Sequence, residues 1–241
     1  MLVDICLPAH NEENVLKKNC LRLYEFCKSQ HFPFDWKITI IINASTDNSP
    51  VIAQELAKEL PKVFCIIINE PGRGNALKNT WLHSTADVVC YMDCDLAVSL
   101  SSLPLLLFPI INNQADITIG SRYEKESTIH RSMIRGITSR VYNNLAKLFL
   151  RHQYLDLQCG FKAVRQSIFT TLSPYIQDKN WFFDTEMIIW ADKFKYTIKE
   201  IPVNWKEARF ENRASKVKLL KDSIYFIQKL FKLRKVLKTH N

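Results

Sequence analysis

The sequence predicts an α/β fold, in which a mostly parallel β-sheet is flanked by helices. Two observations predict it. Through the first two-thirds of the chain, short β-branched segments alternate with segments of helical spacing, and this order is typical of a parallel sheet covered by helices. The chain is also long enough, at 241 residues of which 47% are hydrophobic, to form one large domain with its own core.

Four strand candidates and three helix candidates alternate over residues 2–93. The segment KITIIIN at 37–43 is continuous and β-branched, which suits a strand buried on both faces. The segment at 11–30 has apolar residues at helical spacing, with acids early and lysines later, as a helix dipole favours. The other strand candidates are 2–9, 63–69 and 86–93, and the other helix candidates are 49–60 and 74–84.

Two carboxylates, Asp93 and Asp95, stand where the strand candidate at 86–93 ends. Ligands of such sheets bind outside the carboxyl ends of the strands. Side chains two residues apart on an extended segment point the same way, and like charges repel unless a positive group lies between them. Mg²⁺ or Mn²⁺ bound together with a diphosphate would satisfy both acids. Taken alone, Asp93 and Asp95 therefore have two interpretations, a solvated strand end and a metal site, and the resemblance described below favours the metal site.

The basic charge is concentrated in the last 26 residues. Of the net charge of +9, residues 216–241 carry +7, from eight basic residues and one acidic residue. At helical spacing, one stripe of this segment is apolar (Leu220, Ile224, Ile227, Phe231), and five lysines are expected on the opposite side (Lys218, Lys221, Lys229, Lys232, Lys235). This pattern predicts an amphipathic helix that lies in a membrane interface; packing of the stripe on the rest of the protein is the alternative.

These observations divide the chain into a main unit, residues 1–215, and a basic amphipathic helix, residues 216–241. If the helix serves only for membrane binding, a chain that ends at Ala214 is expected to bind vesicles less well and to keep its ligand site. Truncation therefore distinguishes the two interpretations of the helix.

The N-terminus and the cysteines predict a cytoplasmic protein. No secretory leader is expected, because MLVDICLPAHNEE reaches charged residues at once. No apolar run approaches the roughly 20 residues needed to cross a bilayer. The seven cysteines are dispersed and include no CxxC pair, so we expect reduced thiols.

Eight short segments follow one another in an informative order. They are LPAHNEE (7–13), INASTDNS (42–49), GRGNALK (72–78), MDCDLA (92–97), IGSRY (119–123), RGITSRVYNNL (135–145), QCGFKAVR (158–165) and WFFDTE (181–186). Together they resemble the motifs of the inverting family 2 nucleotide-sugar glycosyltransferases, which have a Rossmann-like GT-A fold. The resemblance covers about residues 3–215 and is nearest to the branch that transfers a hexose to dolichyl or polyprenyl phosphate.

The resemblance implies that the loops after the first three strands bind the donor nucleotide. The residues to which it gives this role are Pro8, Ala9, Asn11, Glu12, Asn43, Asp47, Arg73 and Gly74. A helix N-terminus and close backbone approach at a glycine favour phosphate binding. Helix capping is the alternative for Asn11 and Asp47, and an ordinary turn is the alternative for the loop around Gly74.

The sequence departs from the family pattern at two places. Ile42, Asn43 and Ala44 stand where family members usually carry two consecutive acids before a Gly-Ser, and Ala97 stands where a Gln often follows the acidic motif. Because an Asn side chain offers both a donor and an acceptor to a base edge, we expect Asn43 to preserve the nucleotide pocket. Water is expected to take the place of the Gln at the metal.

The resemblance also implies that basic residues bind the phosphates of donor and acceptor. They are Arg122, Arg135, and the late loop that contains Arg213 and Lys216; surface arginine is the alternative for each arginine. In the family, Asp184 and Glu186 line the pocket for the sugar and the acceptor. Capping of the following helix is the alternative for Asp184.

The function that the resemblance implies is transfer of a hexose, with inversion, from a UDP-glucose or GDP-mannose type of donor to polyprenyl phosphate. The enzyme would lie at the cytosolic face of a membrane. A lipid phosphate needs no general base, because its second pKa is near 6. One alternative is a sugar-hydroxyl acceptor, for which Asp184 or Glu186 would be the base. The other is a non-enzymatic protein that binds nucleic acid through its basic tail; the tail has no recognised motif for this, so we expect no nucleic-acid partner.

Overall fold

The computed structural model describes residues 1–130, 133–206 and 219–239. Its strands are β1 (Leu2–Ala9), β2 (Asp35–Asn43), β3 (Val63–Ile68), β4 (Val88–Met92), β5 (Ile117–Ser121), β6 (Thr128–His130), β7 (Phe161–Arg165), β8 (Ile198–Pro202) and β9 (Asn204–Lys206). Its α-helices are α1 (Leu16–Ser29), α2 (Ser49–Glu59), α3 (Arg73–Leu82), α4 (Leu103–Ile111), α5 (Met133–Leu150), α6 (Gln166–Leu172), α7 (Phe183–Lys193) and α8 (Leu219–Thr239).

The main sheet has seven strands in the order β3-β2-β1-β4-β7-β5-β8, and β6 pairs with β9 in a small second sheet. All neighbours in the main sheet are parallel except for β7, which runs antiparallel to both β4 and β5. The mostly parallel sheet and the alternation of strands and helices that the sequence predicts over residues 2–93 are therefore confirmed.

The strand order changes direction next to β1. The chain moves from β1 outward to β2 and β3, and then returns to the other side of β1 at β4. Loops that leave β1 and β4 therefore diverge, and the crevice between them is where ligands of open α/β sheets bind. Asp93 directly follows β4, so the fold places it at this crevice.

Helices cover both faces of the sheet and form two separate cores. One core combines the buried faces of α1, α2 and α4 with sheet residues such as Ile38 and Ile40. The other combines α3, α5, α6, α7 and α8 with residues such as Ile41 and Tyr91. Because successive residues of a strand point to opposite faces, the continuous apolar run of β2 contributes to both cores.

The first helix begins later than the sequence indicated. Asn11 has a positive φ of 51°, and α1 starts only at Leu16, with Val15 at the N-cap. The alternative in which Asn11 caps this helix is therefore wrong. Residues 10–15 instead form a loop at the carboxyl end of β1.

The C-terminal helix α8 is part of the second core. Leu230 and Leu233 are buried in it, whereas Ile224 and Phe231 are 60% and 56% exposed. The stripe recognised in the sequence is thus largely exposed over its described part, although the Phe231 ring contacts Phe149, and the neighbouring residues Leu230 and Leu233 are the ones that are buried. The side chain of Leu220 lies outside the described residues.

The lysines that the sequence predicts opposite the stripe have different surroundings in the structure. Lys232 and Lys235 are exposed like the stripe itself. Lys229 turns inward, with its Nζ 2.7 Å from Oδ2 of the buried Asp178. Lys229 therefore pairs within the protein, and the separation of α8 into an apolar side and a lysine side stays a prediction. The side chains of Lys218 and Lys221 lie outside the described residues.

Two further expectations concern cysteines and membrane spans. All seven cysteines lie in the described ranges and none forms a disulfide, as expected for reduced thiols. Within those ranges, no helix is both long enough and apolar enough to traverse a bilayer.

Candidate active site

Asp93 lies at the end of β4 in close contact with Gly160. Its backbone N–H donates to the Gly160 carbonyl oxygen at 3.1 Å. A Cβ atom at position 160 would lie 1.9 Å from Oδ2 of Asp93, which is far inside van der Waals contact. Any residue other than glycine at position 160 would therefore displace the carboxylate.

Arg73, the first residue of α3, bridges two acidic side chains. Its Nη1 donates to Oδ1 of Asp93 at 2.9 Å, and its Nη2 donates to Oδ2 of Asp184 and, at 3.0 Å, to the Tyr91 hydroxyl. The Trp181 ring covers the guanidinium, with 4.5 Å between the ring centroid and Cζ. Only 12% of the Arg73 side chain is exposed, so its charge is held between these partners.

Asp184 lies behind Arg73 and is completely buried. Besides Arg73, its carboxylate accepts a hydrogen bond from the Tyr91 hydroxyl at 2.6 Å, and it lies 3.5 Å from Nζ of the equally buried Lys162. Lys162 reaches this point because antiparallel pairing sets it opposite Tyr91. Asp184 therefore pairs with two cations, and it does not cap α7, which begins at Phe183 without a side-chain cap.

The carboxylate of Asp93 carries a perturbed pKa. Desolvation raises the pKa of Asp93 to about 6, with repulsion from Asp95 and Asp184 adding to the shift and Arg73 and Lys162 opposing it. Crowded carboxylates of this kind are stabilised in their charged form by a nearby cation. The pocket is thus arranged to attract positive charge at Asp93.

Asp95 occupies a turn directly after Asp93. Its Oδ1 accepts the backbone N–H of Ala97 at 3.1 Å, and the intervening Leu96 has a φ of 50°. Among the residues that the structure describes, no three His, Cys, Asp or Glu side chains come together in a way that could hold a metal ion. A metal at Asp93 and Asp95 would therefore need further oxygen ligands, from water or from a substrate.

The loops after β1 and β2 are joined by hydrogen bonds. Oδ1 of Asn11 accepts the backbone N–H of Thr46 at 2.8 Å, and the backbone N–H of Glu12 donates to Oγ of Ser49 at 2.7 Å. Asp47 accepts backbone N–H groups of Glu13 and Ser49. Desolvation alone would raise the pKa of Asp47, but these hydrogen bonds lower it. Pro8 and Ala9 form the end of β1 beside this junction.

Asn43 holds the glycine loop in place. Its Oδ1 accepts the backbone N–H of Gly72 at 2.8 Å, and its Nδ2 donates to the Glu70 carbonyl oxygen at 2.8 Å. The sequence suggested that these atoms face a nucleobase, but here they bind backbone groups.

The two glycines of this loop are required sterically. A Cβ at position 72 would lie 2.3 Å from the Lys179 carbonyl oxygen, and a Cβ at position 74 would lie 2.6 Å from Cβ of Phe183.

Arg122 is held in a buried ion pair with Asp156. Its Nε and Nη2 donate to the two carboxylate oxygens at 2.7 and 2.9 Å, and its backbone N–H donates to Oδ2 at 3.0 Å. Burial alone would raise the pKa of Asp156, but the Arg122 guanidinium lowers it. The pairing supports a structural role for Arg122 rather than the direct phosphate contact that the resemblance implied.

Removing the bidentate guanidinium of Arg122 is expected to destabilise the fold. Arg122→Lys keeps the charge but cannot make both side-chain bonds to the buried Asp156, so we expect a loss of about 1–3 kcal/mol in the free energy of unfolding. Urea denaturation followed by circular dichroism measures it. Arg140→Lys, on an exposed position of α5, is the control. Equal stability of Arg122→Lys and the unaltered protein would contradict the structural role.

Glu186 also makes internal contacts. Its Oε2 accepts the backbone N–H groups of Gln177 and Asp178, each at 2.7 Å, and burial raises its pKa. Of the remaining predicted residues, Arg135 lies in α5 but its side chain is outside the described residues, as are Arg213 and Lys216 altogether.

Sequence reasoning missed Tyr91, Lys162 and Trp181 as members of the site. Tyr91 was detectable, because it lies two residues before Asp93 on an extended segment, where side chains two apart point the same way. Lys162 and Trp181 lie in segments already recognised as motifs, but only the fold brings them to Asp184 and Arg73.

A family model shows to which family the chain belongs. The model for glycosyl transferase family 2 matches residues 4–172, a span that includes Arg73, Asp93 and Gly160. The chain belongs to glycosyl transferase family 2. Family membership confirms the resemblance found in the sequence, and it makes the crevice at Asp93 the expected place for the family's chemistry.

Curated family 2 relatives are similar over most of this chain. The chain is 33% identical over 205 residues to glycosyltransferase AglD of Haloferax volcanii, covering 84% of this chain and 33% of the relative. It is 30% identical over 217 residues to dolichyl-phosphate beta-glucosyltransferase ALG5D of Trichomonas vaginalis, covering 85% and 66%. It is 28% identical over 253 residues to dolichyl-phosphate beta-glucosyltransferase of Saccharomyces cerevisiae, covering 97% and 74%. The chain thus spans a third of AglD and about two-thirds of the Trichomonas relative.

Solved structures confirm the fold at low sequence identity. Mannosyl-3-phosphoglycerate synthase from Rubrobacter xylanophilus aligns with a TM-score of 0.70 at 14% identity, covering 100% of this chain and 76% of that one. Glucosyl-3-phosphoglycerate synthase from Mycobacterium tuberculosis, crystallised with Mn²⁺, UDP and glucosyl-3-phosphoglycerate, aligns with a TM-score of 0.67 at 15% identity, covering 95% and 77%. The GT-A fold expected from the sequence is therefore confirmed.

Proposed function

We propose that this protein transfers a hexose, with inversion, from a nucleotide-diphosphate sugar to a polyprenyl phosphate of the dolichyl type. Its relatives from Trichomonas and Saccharomyces are dolichyl-phosphate beta-glucosyltransferases, which supports both the lipid phosphate acceptor and glucose as the sugar. UDP-glucose is the donor that we favour over a GDP-mannose type of donor. The phosphate oxygen displaces the nucleoside diphosphate at the anomeric carbon, and no covalent enzyme intermediate is required.

One observation favours a phosphate acceptor over a sugar hydroxyl. The two carboxylates that could act as a general base for a hydroxyl, Asp184 and Glu186, are both buried and engaged in internal contacts. A general base must lie within hydrogen-bond reach of the proton that it removes. A phosphate monoester is mostly a dianion at pH 7 and attacks without a base, so it suits a site in which these two carboxylates are occupied.

Asp93 and Asp95 are the residues that would hold Mg²⁺ or Mn²⁺. Carboxylate oxygens are the ligands these ions favour, and substrate phosphates commonly complete their coordination. Desolvation, with added repulsion from Asp95 and Asp184, raises the pKa of Asp93 to about 6, and a bound cation would favour the charged carboxylate. When bound, the ion stabilises the negative charge of the departing diphosphate. The Mn²⁺ in the structure of the mycobacterial synthase supports this assignment.

We propose that the nucleotide lies along the loops that follow β1, β2 and β3. The end of β1 (Pro8, Ala9), the joined loops with Asn11, Glu12 and Asp47, and the glycine loop with Gly74 surround the crevice beside Asp93. In this arrangement Asn43 positions the glycine loop. Arg135, Arg213 and Lys216 remain our candidates for the phosphate of the acceptor, because that phosphate must lie near the negative diphosphate and needs cations around it.

The acceptor is tested by a panel of donors and lipids. The purified protein is incubated with Mn²⁺, polyprenyl phosphate and radiolabelled UDP-glucose, UDP-GlcNAc or GDP-mannose, and lipid-extractable label is measured. We expect label from UDP-glucose to enter the lipid fraction. Polyprenol without phosphate is the control and is expected to remain unlabelled. Transfer to the polyprenol, or only to added oligosaccharide, would refute the phosphate acceptor.

We propose that residues 216–241 bring the catalytic unit, residues 1–215, to the cytosolic face of a membrane. Exposed apolar side chains of α8 and α5 support the proposal, and the rings of Phe231 and Phe149 are in contact with a centroid distance of 4.7 Å. The exposed members are Val141, Leu148, Ile224, Ile227 and Phe231. Lysines near anionic lipids add about 1 kcal/mol each, and Lys232, Lys235 and Lys238 are exposed on α8.

Membrane binding is expected to depend on this exposed stripe. Replacing Ile224, Ile227 and Phe231 together with serine should greatly reduce sedimentation with vesicles that contain phosphatidylserine, because it removes the apolar area that enters the interface. High salt should release the unaltered protein. Replacing the exposed Val51 of α2 with serine, outside this surface, is the control. Unchanged sedimentation of the triple variant would show that the stripe does not bind membranes.

A further inference from the structure

The crevice at Asp93 contains its own cations. Asp93, Asp95 and Asp184 supply negative charge, and Arg73 and Lys162 supply positive charge. Lys162 is fully buried behind Asp184, whereas Arg73 reaches Asp93 itself. A metal ion that binds Asp93 therefore competes with the Arg73 guanidinium, which already donates a hydrogen bond to Oδ1 of Asp93.

Arg73 is held by more than its contact with Asp93. Its Nη2 is bound by Asp184 and by the Tyr91 hydroxyl, and its guanidinium lies against the Trp181 ring. Its backbone position is fixed by the glycines on either side, each of which is too close to the segment 178–183 to carry a side chain. Because these contacts are independent of Nη1, Arg73 can lose Asp93 as a partner and remain in the crevice.

We propose that Arg73 is a resident counter-ion of Asp93 that the divalent metal displaces, so that the metal binds together with the nucleotide diphosphate and only weakly before it. The proposal rests on the proposed function, because it takes a nucleotide-sugar donor and a divalent ion as the ligands. In it, Tyr91 and Asp184 are positioning residues that retain the guanidinium after it leaves Asp93.

Charge balance explains why the two ligands would bind together. A metal ion alone adds positive charge next to Arg73, with which it competes for Asp93, and like charges at short distance repel. A diphosphate alone adds negative charge next to Asp93 and Asp95. A metal ion and a diphosphate carry opposite charges, so their joint binding changes the net charge of the crevice little. The displaced Nη1 of Arg73 then faces phosphate oxygens, to which a guanidinium donates strong charge-assisted hydrogen bonds.

The proposal predicts that removing Arg73 strengthens metal binding in the absence of nucleotide. Mn²⁺ affinity is measured by electron paramagnetic resonance, with and without UDP, for the unaltered protein and for Arg73→Gln. We expect Arg73→Gln to bind Mn²⁺ alone about tenfold more tightly, the order of effect expected for one hydrogen bond between charged groups. We also expect UDP to raise Mn²⁺ affinity by a smaller factor than it does in the unaltered protein, since binding effects are reciprocal.

A second variant and a charge control complete the experiment. Arg73→Lys keeps the charge but cannot span Asp93 and Asp184 as a fork, and its Mn²⁺ affinity without UDP should lie between those of the other two proteins. It also provides the test if Arg73→Gln does not fold. Lys179→Gln removes a charge of the same sign from an exposed side chain that pairs with Glu70, and it should leave Mn²⁺ affinity unchanged.

Two outcomes would overturn the counter-ion role alone. One is unchanged Mn²⁺ affinity in a folded Arg73 variant while UDP still promotes Mn²⁺ binding. This result would support the donor site and contradict the counter-ion role of Arg73. The other is an equal gain in Lys179→Gln, which would assign the effect to overall charge. An absence of Mn²⁺ binding to the unaltered protein even with UDP would refute the proposed donor site as well.

Discussion

Asp93→Asn is expected to lower the rate of sugar transfer by at least about 10²- to 10³-fold, the scale on which the loss of one electrostatic contact to a developing charge acts. Asparagine keeps the shape of the side chain and an acceptor oxygen for Arg73, but it removes the charge that would bind the metal. Asp95→Asn should have a similar effect. Transfer of radiolabelled glucose to polyprenyl phosphate in the presence of Mn²⁺ measures both.

The control for Asp93→Asn is Asp87→Asn, which changes an exposed acid just before β4, at the end of that strand away from the crevice. We expect it to retain normal transfer. Thermal melting of each variant shows whether its fold is intact. Near-normal turnover by Asp93→Asn, or turnover that survives EDTA, would show that Asp93 does not hold a catalytic metal.

Leu233→Ala is expected to reduce the free energy of unfolding by about 2–5 kcal/mol, the range for truncation of a buried leucine. Leu233 is 4% exposed and belongs to the core that α8 shares with α5 and α7. For the same reason, we now expect a chain that ends at Ala214 to lose stability, rather than to keep an intact donor site as the sequence alone suggested. Urea denaturation measures the change.

Ile227→Ala, on the same helix, is the matched control for Leu233→Ala. Ile227 is 41% exposed, and exposed substitutions usually change stability by less than about 0.5 kcal/mol. We expect the two variants to separate two roles, with Leu233→Ala affecting unfolding and Ile227→Ala affecting vesicle binding. Equal destabilisation by both would mean that the buried and exposed faces of α8 have been assigned wrongly.

The link between α8 and the crevice explains why the tail cannot be treated as an independent anchor. Asp178 binds Lys229 and the Tyr225 hydroxyl of α8. The segment that contains Asp178 also packs against Gly74. One short segment therefore contacts both the helix proposed for the membrane and the first turn of α3, which bears Arg73.

The sequence by itself predicted the architecture and the position of Asp93 at the crevice. The strands and helices over residues 2–93 follow from local spacing, since a buried strand or an amphipathic helix leaves its period in consecutive residues. The position of Asp93 at the crevice follows from the strand that precedes it and from the rule for open α/β sheets. The order of short motifs identified the family, because each motif is contained in a few neighbouring residues.

Only the tertiary structure decided which partners the charged residues have and which face of α8 is buried. Arg73 and Asp184 are 111 residues apart in sequence, and nothing local to either shows that Tyr91 and Lys162 complete their cluster. In the same way, Asn43 and Arg122 have local patterns that fit ligand binding, yet they bind Gly72 and Asp156. Helix α8 has a broad apolar surface, and only the part with Leu230 and Leu233 is buried in the core that it shares with other helices. The physical reason is that a buried charge or apolar face is stabilised by whatever the fold places against it, and that neighbour can come from any part of the chain.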